Sequence, residues 1–471
     1  MATQESDLFE ECLRLVVDKC TSLKALSVDS LAEIRWNFER PGSIQNLVYA
    51  LIDQNPGIQK LSTNKVYCLQ KAFVLSGLRS LSISEGLSTQ DVACLLTTFP
   101  LLEELVLREA FSGSSKLVDN EQQHPITDDS TVKQKPSALK HLSVRGMNTL
   151  DELTTILERC PKLQSIYSQF TLDRHDKATK ILPPDFLSDV SLIFRDSDSE
   201  SIQQVLKVFA YQQILTLALD ITSADIFHCI AQNHSRRLQR LVVSCHNVPE
   251  TLLIILAECV GLKTLRAVNG RVESVASIPP LDFSIKTPRI SSNPLDPRAL
   301  ITRPWVCVDL EILEMPLALN RRSSVIVPDQ MVVSKMTTMA TTSDGSDVGS
   351  SCTKPGVSEW QKAERLFMRQ LAALTQLRRL ILPNGSWSGL KTDTDMSWRI
   401  PTGLEQLKTL KRLEVLDVSG RQYVQGIPEF RWMKANWTSL NKLVVCRMES
   451  ERKCEWFRTC WPELNVVNMV E

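Results

Sequence analysis

The sequence predicts an α/β solenoid, in which short strand-plus-helix repeats stack side by side. The main observation is an apolar phrase, Leu-x-x-Leu-x-(Leu/Val/Ile), that recurs along the 471 residues. Copies begin at Leu23, Leu78, Leu102, Leu139, Leu238, Leu377, Leu413 and Leu440. Several starting positions lie 24 residues apart, as from 78 to 102, 139 to 163 and 214 to 238. A fixed period of this length indicates a repeat architecture.

The phrase itself predicts a strand, because alternation directs its leucines to one face and the intervening residues to the other. The stretches 150–160 and 250–259 precede Leu163 and Leu262, and their apolar residues recur every three or four positions, which predicts helices with one apolar stripe. Neither element can bury its stripe alone, so neighbouring units must stack. The prediction is therefore a leucine-rich repeat solenoid, a horseshoe with a parallel concave sheet and convex helices.

Three inserts set the predicted domain organisation. Residues 112–136 are polar and residues 271–304 are rich in serine and proline, which predicts loop inserts within a first solenoid over residues 1–319. Residues 320–357 contain a long run of small polar residues and predict a disordered insert. Residues 358–471 then hold C-terminal repeats and most of the tryptophans. We interpret these tryptophans as a cap on the last repeat, with an exposed recognition patch as the alternative.

Composition narrows the possible partners and location. Lys plus Arg equals Asp plus Glu at 54 each, so no overall charge favours nucleic acid or an acidic membrane. The N-terminal residues are polar and no apolar run reaches the length of a membrane span, so neither a signal peptide nor a span is expected. Thirteen cysteines without a C-x-x-C pair favour reduced thiols and a cytoplasmic or nuclear location.

The cysteines have a fixed place in the repeat. Cys20, Cys160, Cys259 and Cys307 each stand three residues before the first leucine of a phrase, where we expect buried and inert thiols. A catalytic alternative exists at residues 307–309, because Cys-Val-Asp matches the short Cys-x-Asp signature of a class of leucine-rich bacterial ubiquitin ligases. The sequence offers no separate helical catalytic domain for that chemistry, so the repeat position is the preferred interpretation.

A second group of possible ligands lies between residues 228 and 246. His228, Cys229, His234, Cys245 and His246 fall within nineteen residues, but their spacing differs from that of zinc-binding motifs. Neither a phosphate-binding glycine loop nor a nucleophile elbow is present in the sequence. We therefore expect no metal, no cofactor and no enzymatic activity.

The unit of a helix followed by Cys-x-x-Leu-x-x-Leu-x-(Leu/Val) resembles the cysteine-containing repeats of F-box proteins and their ribonuclease-inhibitor-like relatives. Residues 86–102 are the best single copy, and the irregular spacing is similar to that of divergent fungal members. The resemblance implies a non-catalytic protein–protein interaction scaffold and, more specifically, substrate recognition for an SCF-type ubiquitin ligase with a ligase adaptor as partner. No F-box is readable, since residues 7–28 already fit a repeat. The same resemblance leaves open a regulator of an enzyme, of the ribonuclease-inhibitor or small-GTPase-activating kind.

The outward side chains of the concave strands are the predicted binding surface for a protein ligand, because stacked strands present them side by side. Arginine and tyrosine contribute strongly to interface energy. The candidate site residues on this face are Tyr167, Arg240, Lys263, Arg266, Arg378 and Arg379.

Overall fold

The computed structural model divides the chain into two compact units, which we call the first unit (Met1–Val243 with Arg271–Ile278) and the second unit (Ser244–Gly270 with Pro279–Glu471). The predicted inserts 112–136 and 320–357, and residues 271–303 of the third insert, lie outside the described residues. The domain division based on them therefore stays a prediction. The structure describes residues 11–12, 14–28, 42–63, 75–109, 137–147, 149–171, 187–195, 197–209, 214–220, 223–244, 252–268, 304–315, 359–382, 398–418, 426–446 and 451–469.

The strands of the first unit pair in parallel and in chain order. Leu81, Leu105 and Leu142 are aligned on neighbouring strands, and Ile166 continues their row. This register stacks the leucines of successive phrases into one core, as the phrase predicts. The strands are β1 (Ala25–Ser27), β2 (Lys60–Thr63), β3 (Ser80–Ile83), β4 (Glu104–Leu107), β5 (His141–Met147), β6 (Ser165–Phe170), β7 (Asp189–Phe194), β8 (Ile214–Leu219) and β9 (Arg240–Ser244).

The second unit repeats this arrangement. Leu265, Leu313, Leu380, Leu416 and Leu443 are aligned across consecutive parallel strands, and all five are buried. The strands are β10 (Thr264–Val268), β11 (Ile312–Glu314), β12 (Arg379–Ile381), β13 (Val415–Asp417), β14 (Lys442–Cys446) and β15 (Asn465–Met469).

Helices connect the strands where the chain between them is described. The helix α3 (Leu150–Arg159) shows why these segments are helical. Thr149 and Glu152 form a reciprocal capping box at its start, and Leu153, Ile156 and Leu157 form its buried stripe. No helix of the described residues is both long and apolar enough to cross a membrane. The helices are α1 (Gly42–Gln54), α2 (Thr89–Thr98), α3 (Leu150–Arg159), α4 (Ser199–Val208), α5 (Ala224–His234), α6 (Leu252–Glu258), α7 (Glu359–Ala373), α8 (Ile427–Asn436) and α9 (Glu451–Cys460), with 3₁₀ turns at Ile400–Thr402 and Leu404–Thr409.

The residue three positions before the first leucine occupies a fixed place, which we call the turn slot. In most of the described repeats its carbonyl accepts a hydrogen bond from the N–H of that first apolar residue, as in Leu163 N to Cys160 O at 3.0 Å. The predicted burial of Cys160, Cys259 and Cys307 is confirmed, whereas Cys20 is only half-buried. Other repeats fill the same slot with Asn55, Leu75, Phe99, Leu374, Leu410, Trp437 and Trp461, all of them buried.

Asn55 uses the turn slot to connect two repeats. Its side-chain oxygen accepts the Leu23 N–H at 2.8 Å, and its Nδ2 donates to Cys20 O at 2.7 Å and to Leu51 O at 2.8 Å. Buried polar groups need such partners. The Asn55 amide therefore joins the turn before β1 to the end of α1.

The C-terminal tryptophans belong to individual repeats. Trp437 is buried in a turn slot, and its Nε1 donates to Leu407 O at 2.9 Å. Trp398 and Trp461 are also buried, so these three indoles do not form an exposed aromatic patch. Trp387 lies outside the described residues, and the predicted role of the tryptophans as a cap stays a prediction.

Register shifts occur in the first unit between β5 and β6, after Val144, and between β7 and β8. The second shift changes how the phrases align. Val190 faces Ile214, but the next pair is Ser191 with Thr216, so one residue of β8 is skipped. As a result Leu192 faces Leu217, and the two phrases are offset along the strand direction. On the face opposite these leucines, Ile193 and Ala218 are then in register and buried.

Candidate protein-binding surface

The side chains between the leucines form what we call the open face of each sheet. On β3, for example, Leu81 and Ile83 are buried while Ser80 and Ser82 are half-buried. The alternation of a strand places these two pairs on opposite faces. A partner that binds against the face of the sheet would contact the open face.

A row of hydroxyl side chains crosses the open face of the first unit. On β1 to β7 it lies between the second and third leucine positions of the phrase, and on β8 Thr216 continues it in register just before the second. Val106 and Tyr167 are its larger members. Because the others are small, the row forms a shallow trough across the strands. We call it the hydroxyl row; its members in register are Ser27, Ser62, Ser82, Val106, Ser143, Tyr167, Ser191 and Thr216.

The trough deepens around Tyr167 into a cleft of about 300 Å³ on strands β4 to β7. We call it the Tyr167 cleft. Two carboxylates line it, those of Glu104 and Asp189, and no lysine or arginine does. Its lining residues are Glu104, Leu105, Val106, His141, Leu142, Ser143, Ser165, Ile166, Tyr167, Asp189 and Ser191.

Hydrogen bonds fix part of this cleft. The Ser80 hydroxyl donates to Glu104 Oε2 at 2.7 Å, and His141 Nδ1 lies 2.8 Å from Ser165 Oγ. Among the described residues, no group donates a hydrogen bond or an ion pair to the carboxylate of the exposed Asp189. The Asp189 carboxylate is therefore the acceptor in the cleft that an incoming cation can reach.

Cations on this face outside the cleft lining include the exposed Arg145 on β5 and those of a cluster around Glu103. Glu103 accepts Lys140 Nζ at 2.9 Å and Arg79 Nη1 at 2.6 Å. Lys140 above all, and then Arg79, hold the pKa of the Glu103 carboxyl below its ordinary value. Arg79 and Lys140 thus already share an acidic partner beside the cleft.

The open face of the second unit is built differently, with charges that alternate from strand to strand. Lys263, Glu311, Arg378 and Glu414 occupy equivalent positions on four consecutive repeats, as their backbone hydrogen bonds show. Arg378 donates to Glu414 Oε1 from both Nε at 2.8 Å and Nη2 at 2.6 Å. We call these four residues the charged ladder. Because its signs alternate, much of its charge is compensated within the sheet.

Arg266 and Glu314 form a buried ion pair beside this ladder. Arg266 Nε lies 2.6 Å from Glu314 Oε2, and the Glu314 side chain is only 2% exposed. Burial raises the pKa of the Glu314 carboxyl, and the charge of Arg266 opposes that shift. Arg379 lies on the neighbouring strand, where burial lowers the pKa of its guanidinium and Glu414 opposes the shift.

The structure places the six predicted site residues in different surroundings. Tyr167 lines a cleft, while Arg240 is half-buried on β9 beside Thr216. Lys263 is exposed on the ladder, and Arg378 and Arg266 are engaged by acids on the next strand. Tyr167 and Arg240 lie in the first unit and the other four in the second. That these residues bind a partner stays a prediction.

Asp189, the second carboxylate of the Tyr167 cleft, is not among the site residues predicted from the sequence. It precedes Val190 in the phrase Leu187-Ser188-Asp189-Val190-Ser191-Leu192, in which valine replaces the second leucine. A search that accepts valine at that position would have found β7, and with it this carboxylate.

Of the described groups considered for catalysis or metal binding, Cys307, Cys229 and His234 are buried, whereas His228 is exposed. Burial raises the pKa of the Cys307 thiol and of the Cys259 thiol to about 12, so neither supplies a thiolate near neutral pH. His234 directs Nε2 to Leu206 O at 3.2 Å, and burial lowers its pKa to about 4. Within the described residues no three His, Cys, Asp or Glu side chains are placed to hold a metal. Cys245 and His246 lie outside them.

Comparison with known proteins adds only distant likenesses. No protein-family model and no curated protein matches the chain. One similar solved structure is the leucine-rich repeat ectodomain of the plant membrane receptor kinase GASSHO1/SCHENGEN3 from Arabidopsis thaliana in complex with Casparian strip integrity factor 2, at 11% identity, 89% coverage of this chain and 42% of that one, and a TM-score of 0.39. Another is TLR13 in complex with ssRNA13, at 13% identity, 85% and 52% coverage, and a TM-score of 0.37. The chain thus spans about half the length of these two.

The class of the protein follows from its own repeats. The recurrent phrase, the leucines in register on parallel strands and the turn slot together define a leucine-rich repeat solenoid of mixed α/β structure. Such a solenoid presents an extended sheet face on a stacked scaffold.

Proposed function

We propose that this protein is a non-catalytic protein-interaction scaffold, and that the open face of its first unit, centred on the Tyr167 cleft, binds a protein ligand. The cleft itself carries the proposal. It combines a tyrosine, small neighbours and two carboxylates on a sheet whose backbone is held by parallel pairing. A rigid, concave, partly polar surface with an aromatic residue at its centre is the usual form of a binding site.

The test fills the cleft and follows the bound proteins. Ser191→Arg adds a long side chain to the hydroxyl row, whereas Thr97→Arg adds the same group to an exposed position on α2. Affinity purification and mass spectrometry with the full chain should recover the same partners for wild type and Thr97→Arg, and lose them for Ser191→Arg. Recovery of an unchanged set by Ser191→Arg would show that binding occurs elsewhere.

We further propose that the scaffold selects substrates for an SCF-type ubiquitin ligase in the cytoplasm or nucleus. Two observations support this: cysteines fill the turn slot of several repeats in the manner of F-box-associated repeats, and the eight cysteines whose side chains are described have free thiols. Purification of the endogenous protein should then recover a ligase adaptor and a cullin. If neither is recovered, the ligase role is wrong while the scaffold proposal is untouched.

A further inference from the structure

We propose that the Tyr167 cleft recognises basic side chains, lysine or arginine, on an extended segment of the protein partner. This inference deepens the proposed function and rests on it. It names the chemistry of the ligand, which the fold alone does not provide.

Charge is the first argument. Both ionised groups that line the cleft are carboxylates, on Glu104 and Asp189, and the Asp189 carboxylate is exposed without a donor among the described residues. Glu104 has one donor, the Ser80 hydroxyl, which brings no positive charge. A cation that enters the cleft therefore gains a charge-assisted hydrogen bond without first breaking an ion pair.

Shape is the second argument. Asp189 lies on β7, the strand next to Tyr167, and Ser165 and Ser191 are the small residues beside them. Asp189 and Tyr167 are diagonal neighbours on adjacent strands. Such positions lie about 7–8 Å apart, within reach of an aromatic side chain, so a side chain that reaches the Asp189 carboxylate passes close to the Tyr167 ring. An aromatic ring near a cation contributes a further attraction, commonly stronger for arginine than for neutral side chains.

The spacing of the two carboxylates predicts a pattern in the ligand. Glu104 and Asp189 occupy one register row, three strands apart through His141 and Ser165. Three strand spacings are about 14 Å, which an extended peptide covers in about four residues. Side chains four residues apart also point to the same side of an extended chain. We therefore expect two basic residues at positions i and i+4.

The cluster around Glu103 sets the expected strength. Arg79 and Lys140 share one carboxylate, which leaves an excess positive charge one position away from the cleft. This charge opposes the approach of a basic segment and is screened by salt. The binding should be of moderate strength, and it should depend on both acceptors in the cleft.

The experiment uses the full chain and two synthetic peptides in calorimetric titration. One peptide carries arginines at i and i+4 in a glycine–serine background, and the matched peptide carries glutamines there. The arginine peptide should bind at least ten-fold more tightly than the glutamine peptide. Asp189→Asn and Tyr167→Leu should each weaken its binding at least five-fold, whereas Asp151→Asn, a change of an exposed acid on α3, should not alter it.

Charge reversal gives a second measurement. Asp189→Lys should abolish the preference for the arginine peptide. Equal binding of the two peptides by wild type, or unchanged binding by Asp189→Asn, would overturn the inference. The two proposals fail separately: if Ser191→Arg loses the cellular partners but wild type ignores the arginine peptide, the scaffold stands and basic recognition is wrong. If the peptide binds in the cleft but Ser191→Arg keeps every partner, basic recognition stands and the proposed binding of cellular partners at this cleft is wrong.

Discussion

At the residue scale, the turn slot shows how one backbone requirement is met by different side chains. The slot must supply a carbonyl for the first N–H of the phrase and must fill a buried space. Cys160, Leu374 and Phe99 fill it with apolar groups, and Asn55 and Trp437 add side-chain hydrogen bonds of their own. The repeat before β9 has one more residue in its turn, so the Leu238 N–H donates to the carbonyl of His234, four positions earlier.

His234 leads to a prediction about acid stability. Its imidazole is fully buried, and its pKa lies at about 4 instead of the ordinary 6.5 because burial disfavours the charged form. The unfolded chain therefore binds a proton first, so the stabilising effect of the neutral imidazole is complete above pH 6.5 and is lost as pH falls towards 4. Between pH 7.5 and 5, this group should cost the folded state about 2 kcal/mol.

Urea denaturation of wild type and His234→Gln at both pH values measures this effect. Glutamine retains an N–H for Leu206 O but does not titrate. The free energy of unfolding should therefore fall less for the variant. Identical pH dependence in the two proteins would contradict a depressed pKa at this position.

At the element scale, neighbouring strands of the second unit are joined by charges as well as by backbone hydrogen bonds. The Arg266–Glu314 pair links β10 to β11, and the two residues are directly in register. Removing one partner of a buried pair leaves an uncompensated charge, whereas replacing both partners by apolar groups is often tolerated. We therefore expect the pair to contribute to the choice of strand register more than to net stability.

Glu314→Leu should lower the free energy of unfolding by about 3 kcal/mol, because Arg266 would remain largely buried without its acid. The double variant Arg266→Met/Glu314→Leu should recover most of that loss. Chemical denaturation of wild type, both single variants and the double variant gives the coupling free energy directly. A double variant as unstable as Glu314→Leu would show that the loss comes from packing and not from the unpaired charge.

At the scale of the whole molecule, each repeat depends on its neighbours and not on distant parts of the chain. Successive strands pair only with those before and after them in the registers described. The stability of such an array is a sum of local contributions and nearest-neighbour interfaces. Damage to one repeat should therefore remain local.

Asn55→Ala tests this locality. The change leaves Leu23 N, Cys20 O and Leu51 O without their side-chain partner and should destabilise the first repeats by about 2 kcal/mol. Hydrogen exchange should accelerate in residues 14–28 and stay at the wild-type rate in β10 to β15. Asn55→Asp keeps the acceptor for Leu23 but loses both donated bonds, so its effect should be intermediate. Faster exchange throughout the second unit would show long-range cooperativity instead.

The sequence predicted the repeats where leucine occupies the phrase and missed them where other residues replace it. In the phrase that contains β2, Ile58 and Thr63 replace the first and third leucines, and in the phrase that contains β7 valine replaces the second. Packing at these positions needs an apolar or small side chain of similar volume, so the fold tolerates these replacements. The Leu-x-x-Leu-x-(Leu/Val/Ile) pattern does not include them, and these repeats therefore escape a search for it.

The candidate site was less predictable because its contacts join residues far apart in sequence. Arg266 and Glu314 are separated by 48 residues and Arg378 and Glu414 by 36, with inserts of varied length between phrases. The sequence shows which side chains are on the open face, but the partner of each depends on which repeats are neighbours. That information is in the register and not in the 24-residue period.

The offset between β7 and β8 has a practical meaning for protein engineering. In most neighbouring strand pairs of the first unit, corresponding positions of the two phrases are aligned. These pairs are therefore structurally equivalent. A repeat transplanted from one such position to another would pair with its new neighbours in the same register. Between β7 and β8, the third apolar position of one phrase (Leu192) faces the second of the next (Leu217). A repeat with the usual register, placed here, would pair its leucines with the wrong positions of the neighbouring strand. Chimeras whose boundary lies before β7 or after β8 should fold, and those whose boundary lies between β7 and β8 should not.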